Sequence, residues 1–371
     1  MVRKPELSVY LDNMKKLIVI LLILISQKGY GQDPLFSQSD LNLIYMNPSF
    51  AGLYPNDRIL IHRRDQWRGI SAEQFNTNYL ELNFHLPSKS KRKMNGQETS
   101  LAMGVHLISD MENTVFKSNE LGASLSVKVG KKDKMVFVGA LQVNIISGSL
   151  NSNNLIFTDQ INYYNSLIGP INQENIPSLN SYLVPSFGGG FITSFSYPRS
   201  QIKRTTGGVS ILNLAETKSF NNSQNYKNPK RIYIHFDHTE PIKNVYNRQL
   251  IDQVKIFAQL SRHITGFDYL TEIANRTEFG FTVPVKFKDN RLIGGFMYRN
   301  SSVFNGEYMS ESLVWIVRFR PSKSNFSINY SYDHNISRLG SNSAGMTHEM
   351  GIIWILKKRK NVLCPAIDPM F

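Results

Sequence analysis

His348-Glu349-Met350-Gly351-Ile352 opens as a zinc hydrolase helix does, with a histidine and the glutamate that would act as its base. Ile352 stands where the second histidine is required, and the segment alternates like a strand, so that chemistry is excluded. His235 and His238 are three apart; on a strand they face opposite sides and cannot ligate one ion together. Gly188-Gly189-Gly190 lacks the Lys-Ser/Thr of a phosphate loop, and no Gly-x-Ser-x-Gly elbow is present. No catalytic residue, metal ligand or cofactor-binding residue is assigned. Carboxylates paired from distant strands are the one enzymatic arrangement the sequence leaves open.

Two other sets of charged residues have a pattern. By strand parity Asp333, Glu349, Arg299, Arg318 and Arg320 point to one side, and Arg64 ends the first strand on the same side, which makes an internal ion-pair network of Arg64, Arg299, Arg318, Asp333 and Glu349 the expectation. The second set recurs in alternate connections: Lys89, Lys91, Arg92 and Lys93; Lys131 and Lys132; Arg199, Lys203 and Arg204; and, after the last strand, Lys357, Lys358 and Arg359. These all fall on one side. They either meet anionic headgroups, peptidoglycan or an acidic partner, or simply keep the turns soluble and discourage edge pairing.

The elements that must carry these residues are strands. Leu80, Leu82, Phe84 and Leu86 alternate with Tyr79, Glu81, Asn83 and His85; Phe326, Ile328, Tyr330 and Tyr332 alternate with Ser327, Asn329, Ser331 and Asp333. About fourteen such segments are expected, at 58–67, 76–86, 100–110, 119–130, 134–148, 186–197, 205–213, 231–240, 252–263, 276–286, 291–300, 311–320, 324–334 and 346–357. Each is close to the roughly 9–11 residues of a tilted membrane strand. Connections of the other parity include the long polar 151–185 and 215–229. The expected fold is all-β: a transmembrane up-and-down antiparallel β-barrel with short basic periplasmic turns and longer extracellular loops, closed because lipid tolerates no free sheet edge. Aromatics near segment ends, Trp67, Tyr79, Tyr298, Trp315, Tyr332 and Trp354, are read as interfacial girdles. A secreted soluble β-sandwich is the structural rival, disfavoured by strand number and loop parity.

Composition agrees. Of 371 residues 41% are hydrophobic and 19% charged, and mean hydropathy is −0.26, so no helical membrane bundle is expected. The single Cys364 permits no internal disulfide. Lys15-Lys16, the apolar run 17–25 and Gly29-Tyr30-Gly31 have the three parts of a secretory signal, expected to start at Met14 and to be cleaved after Gly31. The formal charge of +14 stays strongly positive without it. Basic residues scattered over many turns, on an exported chain, do not suit nucleic acid. The expected organisation is a signal peptide at 1–31, a periplasmic N-terminal arm at 32–57, the barrel at 58–357 and a basic tail at 358–371. Asn47-Pro48 and Ala51-Gly52 are turn chemistry, so the arm should fold back rather than trail.

The residues Gln32-Asp33-Pro34-Leu35-Phe36-Ser37-Gln38, Asn47-Pro48-Ser49-Phe50-Ala51-Gly52, Arg64-Asp65-Gln66-Trp67, Tyr330-Ser331-Tyr332-Asp333-His334, Thr347-His348-Glu349-Met350 and Cys364-Pro365 resemble, in order along the chain, segments of the PorP/SprF family of Bacteroidetes type IX secretion membrane proteins. The resemblance implies an outer-membrane barrel of a Gram-negative cell that assists one cell-surface adhesin carrying a type IX C-terminal secretion domain. It implies roles in export or anchoring of gliding adhesins and a link to a periplasmic peptidoglycan-associated lipoprotein. Partners are then outer-membrane lipid, the adhesin and that lipoprotein. The alternative is a porin-like or fatty-acid-transporter-like solute channel, since a barrel this size needs a plug or a purpose for its lumen.

Overall fold

The structure is a computed structural model, described here for residues 36–68, 75–87, 97–112, 116–131, 135–150, 161–162, 167–168, 182–197, 203–214, 230–242, 251, 253–267, 270–287, 290–303, 307–322, 324–337 and 345–357. The strands are β1 (Asp57–Arg68), β2 (Phe75–His85), β3 (Gln97–Glu112), β4 (Phe116–Lys131), β5 (Met135–Leu150), β6 (Ile161–Asn162), β7 (Leu167–Ile168), β8 (Tyr182–Ser196), β9 (Arg204–Leu212), β10 (Lys230–Pro241), β11 (Gln253–Phe267), β12 (Leu270–Phe287), β13 (Asn290–Val303), β14 (Glu307–Arg320), β15 (Phe326–Asn335) and β16 (Met346–Lys357). All but β6 and β7 join in chain order into one closed antiparallel barrel, sealed where β1 pairs with β16. The expected fourteen strands are therefore the fourteen of the ring. The short β6–β7 ladder lies apart, within the connection from β5 to β8.

Alternation sorts the side chains as expected. One cross-strand row runs Ile145, Leu121, Leu107, Leu80, Ile61, Ile352, Ile328, Phe319 and Leu292, from β5 through β1 to β13, and every member is exposed on the outer face. Leu141, at 75% exposure, and Trp354, at 53%, extend the same belt. Water would not tolerate so continuous an apolar surface; hydrocarbon does. Tyr79 departs from the girdle expectation. It is 2% exposed and points inward against Phe36, because its register position shares the face of Glu81.

The two ends of the barrel differ. At the near end, where β1 begins opposite Lys357, lie the connections of basic parity. At the far end, where β9 is linked to β10 by residues 215–229, which lie outside the described residues, reach comes from strands that run on, as where β11 and β12, of 15 and 18 residues, are joined across residues 268–269.

The inner face is polar yet buried, because residues 36–56 fill the lumen. This segment holds helix α1 (Leu43–Met46) and a 3-10 turn at Pro48–Phe50, and all of the residues in both are buried. Asn47, in an extended conformation, caps the turn by accepting from the Ser49 N–H at 3.0 Å, while Pro48 fits the first helical position. Gly52 has φ +72°, and a Cβ there would lie 2.3 Å from Ala102 Cβ, so this bend against the wall requires glycine. Phe36, Leu41 and Tyr45 pack on Leu60, Tyr79, Ile108 and Ile353; Met46, Phe50 and Leu53 pack on Val136, Val138, Ile192 and Leu212.

Candidate functional site: a lumen filled by the N-terminal segment

The site is built by inward positions of eleven or more strands converging on a plug of 21 residues, and its first part is ionic. Glu349 on β16 takes the Ser37 N–H at 2.5 Å on one carboxylate oxygen and the Gln38 N–H at 2.9 Å on the other. Arg64 on β1 donates to Glu349 at 2.5 Å and to the Ser37 hydroxyl at 2.7 Å. Arg299 on β13 donates to that hydroxyl at 2.7 Å and to Asp333 on β15 at 2.9 Å, and Ser37 in turn donates to Asp333. Arg299 also meets Glu311 at 2.8 Å, which Arg276 shares at 3.0 Å. One serine thus sits at the centre of four charged side chains from four strands.

Two further acids tie the segment down. Asp40 is gripped by both terminal nitrogens of Arg318 on β14, one at 2.8 Å, with Lys255 on β11 4.0 Å away. Burial alone would raise the Asp40 carboxyl, but the combined pull of Arg318 and Lys255 and its hydrogen bonds outweighs burial and holds it below the ordinary 3.8. Glu81 on β2 accepts from Arg58 at 2.7 Å, from Tyr79 at 2.8 Å and from the Ile44 N–H at 3.2 Å; Arg58 also reaches the Leu41 carbonyl at 3.3 Å. Arg231 on β10 pairs with Glu120 at 3.0 Å and lies 4.6 Å over the Tyr45 ring.

On the opposite wall the contacts are to main chain. Asn47 donates to the carbonyls of Phe191 and Val209, at 3.4 and 3.2 Å, and the Ser210 hydroxyl to the Met46 carbonyl at 2.6 Å. Ser126 donates to the Ala51 carbonyl at 2.5 Å and Lys128 to the Gly52 carbonyl at 2.8 Å, while the Gly52 N–H donates to Asn83 at 3.2 Å. The wall is also contoured. A Cβ on Gly190 would stand 2.0 Å from Asn47 Oδ1, and one on Gly104 would stand 2.5 Å from Ile44 Cδ1.

All five residues of the expected internal network, Arg64, Arg299, Arg318, Asp333 and Glu349, are inside and buried. Arg64, Arg299, Asp333 and Glu349 share one cluster, whereas Arg318 stands apart with Asp40. His348 points outward, bonded to Tyr330 at 2.7 Å, so it diverges from Glu349. His235 faces in and His238 faces out, where it meets Glu240 at 3.0 Å. Of the basic set, Lys203 lies at the near rim, 2.9 Å from Glu240 and 4.9 Å over the Tyr197 ring. Arg204 is 4% exposed. Lys131 and Lys357 end β4 and β16, opposite Gln97 and Asp57. Lys89, Lys91, Arg92, Lys93, Lys132, Arg199, Lys358 and Arg359 fall outside the described residues. Sequence reasoning missed Ser37, Asp40, Arg58, Glu81, Glu120, Lys128 and Arg231 as members of the interior site; parity marks Glu81, but nothing local marks what it binds.

Chemically, this arrangement positions the segment within the barrel. Among the described residues no group of three or more His, Cys, Asp or Glu is placed to hold a metal ion. An intact buried ion pair adds little net stability, yet removing one partner costs about 3–5 kcal/mol, so such a network fixes one seating of the segment against all others.

Comparison with known proteins gives three results. Solved structures similar to the chain include the toluene transporter TodX of Pseudomonas putida, at 9% identity over 89% of this chain and 95% of that one, with a TM-score of 0.44. They also include the toluene transporter TbuX of Ralstonia pickettii, at 11% identity over 85% and 93%, TM-score 0.41, and the translocator domain of autotransporter NalP of Neisseria meningitidis, at 9% over 85% and 95%, TM-score 0.36. Likeness at that level carries no functional argument. No curated protein matches the chain. The sequence profile of the type IX secretion system membrane protein PorP/SprF, however, matches residues 28–354. With the outer apolar belt and the closed ring of fourteen strands, that match makes this chain a member of the PorP/SprF family of type IX secretion system membrane proteins.

Proposed function

We propose that this chain is a non-catalytic accessory barrel of the type IX secretion and gliding system, inserted in the outer membrane after its leader is removed at Gly31. It binds one cell-surface adhesin bearing a type IX C-terminal secretion domain, through the far-end connections, and helps export or anchor it. At the near end its basic turns meet the periplasmic machinery, a peptidoglycan-associated lipoprotein among them. Family membership supports the secretion role. The observation that carries the rest is the occupied lumen: residues 36–56 are bound by charged and polar groups around the wall, which leaves the ends of the barrel, not its bore, as working surfaces. A solute channel has the opposite need, a bore lined by polar groups that remain open to water.

The test is genetic and biochemical together. Affinity purification of the tagged barrel from detergent-solubilised outer membrane should bring down one large surface protein, and deleting the barrel gene should keep that protein from the cell surface. A deletion strain that displays all its surface proteins but takes up small solutes more slowly would overturn the proposal.

A further inference from the structure

Around the lumen segment Glu349, Asp333, Glu311, Asp40, Glu81 and Glu120 each lie within 3.0 Å of an arginine. Glu278 on β12 differs. It is 2% exposed, yet it makes no ion pair among the described residues. Arg299 stands directly opposite on β13 and Arg276 two residues away on β12, but both are already engaged. Arg299 is bound to Glu311 at 2.8 Å and to Asp333 at 2.9 Å, and Arg276 to both oxygens of Glu311 at 3.0 and 3.1 Å. Glu278 accepts from Ser39, and its Oε2 atom has no hydrogen-bond partner among the described residues. A buried carboxylate in that condition is costly unless a cation or a proton reaches it.

Glu278 also faces room. With Ser39 and Asn42 of the lumen segment, and with Gln259, Ser261 and Arg276 of β11 and β12, it lines a cavity of about 20 Å³. That exceeds the roughly 10–15 Å³ that admits one water-sized group. Ser39, Gln259 and Arg276 are half-buried, which brings the cavity within reach of solvent. Gln259 is directly opposite Glu278, and Ser261 directly opposite Arg276, so side-chain oxygens of β11, β12 and the lumen segment border one small space. An ammonium head is the size of a water molecule and carries only donors, which seek several such oxygens at once. From these observations we propose that the cavity binds a primary ammonium group, its charge on Glu278 and its other donors shared among Gln259, Ser261 and Ser39. An anion is disfavoured, because Arg276, the cation of the lining, is already neutralised by Glu311 whereas Glu278 is not. The site does not depend on the secretion role.

The probe is methylammonium chloride, added to the full barrel in detergent micelles while urea unfolding is followed by the heat-sensitive gel shift. Methylammonium should raise the urea midpoint in a saturable way, as a ligand of the folded state does. Tetramethylammonium chloride at the same concentration has no N–H to donate and should not. In Glu278→Gln the two salts should act alike. A second pair of probes, the blocked tripeptide Gly-Lys-Gly and its Nε-acetyl form, reads the source of the amine. A rise with the lysine peptide and none with the acetylated one assigns the site to a side chain of a docking protein; a rise with methylammonium alone assigns it to free amines. Equal midpoints for the wild type in the two salts would overturn the site and mean that Glu278 is carried protonated. So would a methylammonium rise that persists in Glu278→Gln. Should that variant fail to fold, the two salts on the wild type still decide.

Discussion

The two walls that hold the plug do so by different physics. On the wall of β1 and β13 to β16, carboxylates and guanidinium groups seize residues 37 to 40 through amides, a hydroxyl and one acid. On the wall of β4, β5, β8 and β9, residues 46 to 52 are held by neutral bonds to carbonyls, by Lys128, by the fit of Asn47 against Gly190, and by apolar packing of Met46 and Phe50 on Val136, Val138, Ile192 and Leu212. The ionic wall selects one position sharply, since displacement strands buried charge. The contoured wall contributes through contact area and shape. The segment is therefore aligned at one end and packed at the other.

Perturbing each wall should separate these roles. The largest effect is expected from Glu349→Gln, which leaves Arg64 without its closest carboxylate and the Ser37 and Gln38 amides without one charged acceptor; a loss of about 3–5 kcal/mol is expected. Hydrogen exchange should show those two amides deprotected first. Overpacking the other wall comes next: Gly190→Val pushes into Asn47 and should cost about 1–3 kcal/mol, seen as a lower urea midpoint for the heat-sensitive gel shift, with residues 46 to 52 exchanging faster and residues 37 and 38 unchanged. If each variant loosens both ends equally, the two walls form one cooperative unit and the contrast fails.

Smaller effects sharpen the contrast. Asn47→Ala removes the turn cap and two wall bonds and should cost about 1–2 kcal/mol by the same urea assay. Asp40→Asn weakens one grip of the ionic wall, by about 1 kcal/mol at neutral pH. Its pH dependence has a definite sign. The folded carboxyl lies below its unfolded value of 3.8, so its contribution is fully present above that value and is lost as pH falls through the lower folded one. Wild type and Asp40→Asn should differ at pH 7 and converge in strong acid; a gap that persists there would assign the loss to packing.

The barrel was legible because a membrane strand writes its environment into every second residue. Leu80 to Leu86 against Tyr79 to His85 needs no partner to be read, and the same parity turned Arg299, Asp333 and Glu349 inward. Tyr79 shows the limit: an aromatic near a strand end suits an interface or an interior equally, and only Phe36 and Glu81 decide. The plug could be expected to fold back from Asn47-Pro48 and Ala51-Gly52, but its seating could not be read. Residues 36–56 have no sustained period, and their positions are set by complementarity to strands as far as 312 residues away.

Single-channel recording in planar bilayers addresses the filled lumen most directly, comparing the intact barrel with one lacking residues 36–56. The intact protein should give no stable conductance, and removal of the segment should give reproducible open steps. Steady conductance of the same size from both proteins would mean that the segment does not fill the bore.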